Sequence, residues 1–493
     1  MNIEKLYPGV PACAPKTPQN FVARVAFSLC GEAMSAPGPT SHLGRYAILS
    51  TPPPPGEGFQ AVAPSGADSA GGVSKCKITR QGLFTSLVAA YASVPKPADA
   101  KDARLERWAL QAAARRALPG SRTAKCLRLR QKGADKVAVK YSPSKNRASY
   151  KNLQTCGSVW RCSCCSGKIS EHRRSELVRL VAAHRAAGGQ VLFATRTIPH
   201  HFNDKLGPLW AAMSKAEAKY KAGAPWKRLA KRYQIIGSVR ALEVTCGVHG
   251  WHPHIHELIF LAPGAPRVVF HYPAFLPGTV LWEDFADDIY SRWASAADRA
   301  GLGQPSRAHG VDVRDGQYAA EYASKWGLTH ELTKANSKRG KRDEDGRTSG
   351  LSPFDLLRIA VHSSKAEAVT ARLMFAEYAH ASQGKRQLVF STGLRKLYAL
   401  EEMDDEEIAA NGIEPDWVRL AMVPDKAWRF LLRKELRGPL QEAIADAKGN
   451  WAVAIEALIE AGPVRLELLK AGEIDGPVSW LKFDSFEGGN CDV

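Results

Sequence analysis

The sequence predicts an α+β fold, a central antiparallel sheet with flanking helices, and three observations carry that prediction. Two apolar strand-like runs, 235–246 and 253–261, are joined by Gly247-Val-His-Gly-Trp251, a connection with the content of a hairpin. A third apolar run, Val191-Leu-Phe-Ala-Thr-Arg-Thr197, follows a helical stretch that starts at a Ser170 N-cap and stops at Gly188-Gly189. Helical periodicity then returns at 282–300 and from Ser352 onward, so strands and helices mix without the βαβ alternation of a parallel sheet.

Taken in order, residues 1–100 are rich in Pro, Gly, Ser and Ala, as in Thr51-Pro-Pro-Pro-Pro-Gly56. They read as a largely disordered leader with a weak helical piece near 82–93. Residues 101–168 form a basic helix ending at Pro119-Gly120, then a hairpin pairing Cys126-Leu-Arg-Leu-Arg130 with Val137-Ala-Val-Lys-Tyr141, then a cysteine cluster. Residues 169–330 hold the strands above, a basic helical stretch at 205–232 and a short strand at 311–313. A charged, glycine-containing loop and further helices occupy 331–400, and 401–493 reads as an acidic helical C-terminal region.

Charge is distributed unevenly. The 493-residue chain carries a formal net charge of +19, yet residues 101–240 alone hold 31 Lys+Arg against 7 Asp+Glu, while 401–493 hold 20 acids and 10 bases. That concentration points to a polyanionic partner for the middle of the chain, a solvated basic face being the plainer alternative. Arg122, Lys125, Arg128, Arg130, Arg173, Arg174, Lys227, Arg228, Lys231 and Arg232 are the candidate phosphate contacts. No apolar run reaches the ~18 residues of a membrane span. The first residues lack a signal-peptide core, so a soluble cytoplasmic protein with no membrane partner is expected.

Four of the ten cysteines crowd into 156–165. Cys162 and Cys165 form a Cys-x-x-Cys step, and Cys156 with Cys126 completes four thiolates, enough for a closed, structural Zn²⁺ site. A second donor set sits on the central hairpin. In Trp251-His-Pro-His-Ile-His256, residues 254 and 256 share one strand face. Such a pair also occurs on solvated strand faces, and the partner strand is what favours a metal. Centring the turn between His249 and Gly250 puts Glu243 opposite His256, giving a His254, His256, Glu243 set suited to Mn²⁺ or Mg²⁺ with positions left open. Pro253 is expected to begin its strand, leaving His252 outside the set.

About sixty residues on, Tyr318 and Tyr322 are spaced one helical turn apart, with Lys325 continuing the stripe. Buried packing is the common use of that spacing. The alternative is a nucleophilic pair, since a tyrosine with a reference pKa near 10 needs a neighbouring cation to attack, and Lys325 with a metal-bound phosphate would supply one.

Gly250-Trp-His-Pro-His-Ile-His-Glu257 together with Tyr322-Ala-Ser-Lys325 resembles the HUH endonucleases, in particular plasmid rolling-circle replication initiator (Rep) proteins. Phe193-Ala-Thr-Arg-Thr197 with Ile198-Pro-His200 is similar to their first motif, except that Arg196 stands where an apolar residue is usual. The resemblance covers about residues 122–400. It implies an HUH nuclease-like core acting as a metal-dependent, site-specific DNA endonuclease and strand transferase. Tyr322 would attack a phosphodiester in single-stranded or cruciform plasmid origin DNA, leaving a 5′-phosphotyrosine and a 3′-OH primer, and the strand would later be rejoined. It also implies a host helicase, polymerase and single-strand-binding protein as partners. Tyr318 occupies the position of a water-activating Glu in single-tyrosine initiators, so the spacing is closer to two-tyrosine phage proteins and transposases. Two alternatives stay open: a two-tyrosine transposase or phage replication protein, and a non-catalytic zinc-stabilised DNA-binding regulator.

Overall fold

The computed structural model describes residues 80–270, 278–316, 339–340, 350–410 and 416–460. Tyr318, Tyr322 and Lys325 lie outside them, as does most of the 1–100 leader. The elements are α1 (Arg80–Ala92), α2 (Ala100–Ala117), α3 (Arg122–Lys125), β1 (Val137–Ser142), β2 (Arg147–Lys151), α4 (Ser163–Ala186), β3 (Gln190–Thr197), α5 (Leu206–Tyr220) and α6 (Gly223–Arg232). There follow β4 (Ile235–Gly247), β5 (Gly250–Leu261), β6 (Arg267–Val269), β7 (Thr279–Leu281), α7 (Trp282–Asp298), β8 (Val311–Asp315), α8 (Pro353–His362), α9 (Lys365–Ala381) and β9 (Leu388–Phe390). The last are α10 (Leu394–Leu397), α11 (Asp405–Ala410), β10 (Val418–Val423), α12 (Asp425–Arg433), α13 (Arg437–Asp446) and α14 (Trp451–Glu460). This is an α+β arrangement with two antiparallel sheets, a short parallel pair of β6 and β7, and flanking helices.

The larger sheet has five strands in the order β8-β3-β5-β4-β9, every pairing antiparallel. Strand alternation divides its side chains. Leu192, Ala194, Leu242, Val244, Ile255 and Ile259 face the large core formed with α5, α7, α8 and α9. Val191, Phe193, Val239, Ala241, Leu258 and Phe260 face the other way, against Leu177, Leu180 and Val181 of α4.

Arg196 belongs to the first face and is wholly buried. Its Nη1 lies 2.6 Å from Glu217 Oε2 and its Nη2 2.8 Å from Glu257 Oε2, while Lys221 Nζ reaches Glu257 Oε1 at 2.5 Å. The guanidinium is stacked 4.1 Å from the Tyr220 ring and 4.8 Å from that of Trp293. A charge in this interior is tolerable because both terminal nitrogens of the guanidinium meet carboxylates, although Arg196 Nε has no hydrogen-bond partner, and the planar group has rings to lie on. The network ties α5 and α7 to the sheet.

Two local expectations are corrected, and a third is refined. Cys126–Arg130 is not half of a hairpin with 137–141: β1 pairs with β2 instead, through the turn at 143–146, and the 126–130 segment lies against 153–154 through the bridge Arg130↔Leu153 and backbone hydrogen bonds of Leu127 and Leu129 with Gln154. Leu127 has a φ of 52°, which breaks any extended run there. Helix α4 begins at Ser163, seven residues before the expected Ser170 cap, because Cys162 and Cys165 hold its first turn; Ser170 is buried within the helix. The basic stretch 205–232 is two helices, broken at Gly223, whose φ of +74° is left-handed.

The second sheet joins distant parts of the chain. β1 lies between β2 and β10, and Val137, Val139, Tyr150, Ala421, Val423, Trp428, Leu440 and Ile444 form its core. The acidic region therefore contributes a strand as well as helices. Its carboxylates meet the basic arm: Asp446 with Lys101, Glu442 with Arg104, Glu435 with Arg115, and Asp425 with Arg130.

Candidate functional site

The central hairpin turns on two residues, Val248 and His249, with Gly247 paired to Gly250. The register is therefore shifted by two from the expected one: Glu243 faces His254, and His256 faces Ala241. A shift of two keeps every side chain on its face, so the predicted set survives the slip. The tighter turn requires a glycine at 250, where φ is +90° and an added Cβ would lie 2.8 Å from Phe202 Cα. Backbone packing of the 201–202 segment against Gly250 thus fixes the turn.

Glu243 Oε2 lies 3.0 Å from His256 Nε2 and 3.5 Å from His254 Nε2. One ligand atom from each of the three residues falls within 4.8 Å of the others, as a shared cation requires. Both imidazoles are held by their second nitrogen. His256 Nδ1 is 3.0 Å from Thr195 Oγ1 on β3, and its ring stacks on Phe193. His254 Nδ1 is 3.3 Å from the His252 carbonyl, which can only accept, so that nitrogen carries the proton and Nε2 presents a lone pair. This is the outer-shell pattern that orients metal-ligating histidines. Glu257 points the opposite way, into the Arg196 network, and is structural.

Sequence reasoning passed over His200 and made too little of His252. Pro253 does not start β5; it sits inside the strand opposite Val244, just past the Thr197↔His254 end of the β3 ladder, so its missing N–H costs no pairing there. His252 therefore stays on the metal-facing side. Its Nδ1 is 2.7 Å from His200 Nε2, and His200 Nδ1 is 3.2 Å from the His249 carbonyl. Burial, with His254 and His200 nearby, pushes the His252 pKa down to about 3. The i, i+2, i+4 spacing of 252, 254 and 256 was the available signal; nothing marked His200 as its partner.

The four cysteines also converge. Cys126 Sγ is 3.5 Å from Cys165 Sγ and 3.7 Å from Cys162 Sγ, and Cys156 Sγ is 3.7 Å from Cys165 Sγ, all four buried. Disulfides would need sulfurs about 2 Å apart. A tetrahedral ion bonded at about 2.3 Å separates its sulfurs by about 3.8 Å, close to the spacing here. Cys164, buried beside them, is outside the set.

The predicted phosphate contacts divide into two groups. Arg122 pairs with Glu406, Arg128 with Glu435, Arg130 with Asp425, Arg173 with Glu176 and Asp405, and Arg174 with Glu171. Lys125, Lys227, Arg228 and Lys231 are exposed, and Arg232 pairs with Asp288. Tyr141, Tyr150 and Trp160 are buried and serve packing. No helix among the described residues is long and apolar enough to cross a membrane.

Fold and sites together define an α+β protein with two candidate metal centres, one all-sulfur and closed, the other mixed nitrogen and oxygen. No family model matches the chain, and no solved structure matches it. It is similar to the neomycin resistance protein of Streptomyces cyanogenus, 31% identical over 163 residues, covering 27% of this chain and 37% of that protein. The match thus spans little more than a third of the relative's length.

Proposed function

We propose that the protein is a rolling-circle replication initiator, a metal-dependent single-strand DNA endonuclease and strand transferase of the HUH type. The observation that carries this reading is the convergence of Glu243, His254 and His256, with the two imidazoles oriented through Nδ1 by Thr195 and the His252 carbonyl. When bound there, Mn²⁺ or Mg²⁺ would polarise the scissile phosphate. Zn²⁺ would fill the Cys126, Cys156, Cys162 and Cys165 set as a structural ion.

Tyr322 is the proposed nucleophile. Its hydroxyl oxygen forms a bond to phosphorus as the P–O3′ bond breaks; the phenolic proton leaves, and the departing 3′ oxygen gains one, giving a 5′-phosphotyrosine and a free 3′-OH. Chain length allows this. Gly316 donates its N–H to the Val191 carbonyl, and Val191 pairs with Phe260, four positions along β5 from His256. With two strand spacings of about 4.8 Å across from Gly316 and about 13 Å along β5 the separation is about 16 Å, and the six residues from Gly316 to 322 span up to about 20 Å. Lys325 would stabilise the phenolate, and Tyr318 would take up the strand in the return transfer. The setting is a plasmid origin, with a phage replication protein or transposase as the variant that uses the same chemistry.

The test is a denaturing gel of protein incubated with single-stranded candidate-origin oligonucleotides. The proposal predicts a divalent-ion-dependent adduct that disappears in Tyr322→Phe and His256→Ala. An adduct of normal yield in Tyr322→Phe sinks the assignment.

A further inference from the structure

Helix α6 carries Lys227, Arg228, Lys231 and Arg232 on one side and no acidic residue. Positions 227 and 231, like 228 and 232, are one turn apart, so the cations form two adjacent stripes. Arg292 of α7, donating to the carbonyls of Lys219, Tyr220 and Ala222, and Arg299 just past its end add to the same field: burial lowers the Arg292 pKa first, and the like charges of Arg299 and Arg228 lower it further. Asp288 is the acidic group facing the patch, and it is taken by Arg232 and Tyr233. Lys227, Arg228 and Lys231 point into solvent. The basic arm differs, because its arginines are largely occupied by the carboxylates of 402–446.

The patch and the metal set belong to different faces of the sheet. α6 leads directly into Ile235, where β4 begins, and Glu243 lies eight residues, about 25 Å, further along that strand. α6 buries Leu229 in the core on the Leu242 face of the sheet, whereas Glu243, His254 and His256 face the other side.

We propose that this surface grips the phosphate backbone of double-stranded nucleic acid flanking the strand handled at the metal site. The proposal rests on the endonuclease reading for its second half only. Duplex is favoured over single strand because, among the described residues, the rings on this helix and at its end are engaged in packing: Trp226 is half-buried against Tyr220, and Tyr233 is buried. A membrane surface is disfavoured because the apolar side of the helix, at Leu229, faces the core.

Fluorescence anisotropy with an arbitrary duplex of about 20 base pairs, and a single strand of equal length, tests this in the triple variant Lys227→Ala, Arg228→Ala, Lys231→Ala. At 0.15 M salt the duplex affinity should fall on the order of 100-fold, and the slope of log K against log salt should shrink by about 3, one per cation lost. The unfolding midpoint should match the parent. An unchanged salt slope overturns the proposal, as does an equal loss on single strand and duplex. If the parent forms no adduct with any oligonucleotide, the endonuclease reading fails while the anisotropy result still decides the surface.

Discussion

His256 Nε2 lies 3.0 Å from Glu243 Oε2 although the two residues are not ladder partners; Ala241 is opposite His256 and His254 is opposite Glu243. The carboxylate thus reaches diagonally across the hairpin, lying between the two imidazoles. A diagonal reach of this kind depends on the register, and the register depends on the two-residue turn.

Gly250→Ala should therefore disturb the metal set from a distance. The new Cβ meets the Phe202 backbone and the φ of +90° is strained, together costing about 1–3 kcal/mol. The variant should unfold at lower denaturant and bind Mn²⁺ more weakly. Equal Mn²⁺ affinity would detach the turn from the site.

Thr195→Val removes the hydroxyl beside His256 Nδ1 while keeping a β-branched side chain on β3. Divalent-ion affinity should drop about 10-fold or more, as for other outer-shell partners. Thr197→Val is the control, because the Thr197 hydroxyl bonds to the His309 carbonyl instead. Titration calorimetry with Mn²⁺ reads both.

Glu257 links stability to acid. Burial alone would raise its pKa, but Lys221 and Arg196 outweigh it and hold the carboxyl at about 2, below the ordinary 4.5. A depressed folded pKa means the contribution is complete above 4.5 and is lost as pH falls from there toward 2. Urea midpoints between pH 6 and 3 should fall in the parent. Glu257→Gln should start lower, by about 3–5 kcal/mol for a broken buried network, and lose part of that acid slope.

The sulfur site makes a separate prediction. The purified chain should carry one equivalent of Zn²⁺, and Cys162→Ala should lose it and melt more than about 5 °C lower, since the cluster fixes the first turn of α4. A zinc-free protein of unchanged stability would reject the assignment.

Much of the site was legible because strand alternation is insensitive to a two-residue error in the turn. Glu243, His254 and His256 were found together on the right face with the wrong partners. Spacing alone made Cys156, Cys162 and Cys165 legible, while Cys126 was assigned through a hairpin that does not form, yet it joins the set. What local pattern did not carry was long-range: β10 completing the sheet of β1, His200 reaching His252, and the carboxylates of 402–446 meeting cations some 300 residues earlier. The Cys126–Arg130 strand failed for a local reason, its alternation being broken by Leu127 in the left-handed region.

Mass-spectrometric mapping of the protein–DNA adduct bears most directly on the central claim. After incubation with Mn²⁺ and a single-stranded origin oligonucleotide, then nuclease and protease digestion, a nucleotide should be attached through its 5′-phosphate to Tyr322, and the adduct should vanish in Glu243→Ala. Attachment at a different residue type, or an adduct indifferent to Glu243, would contradict it.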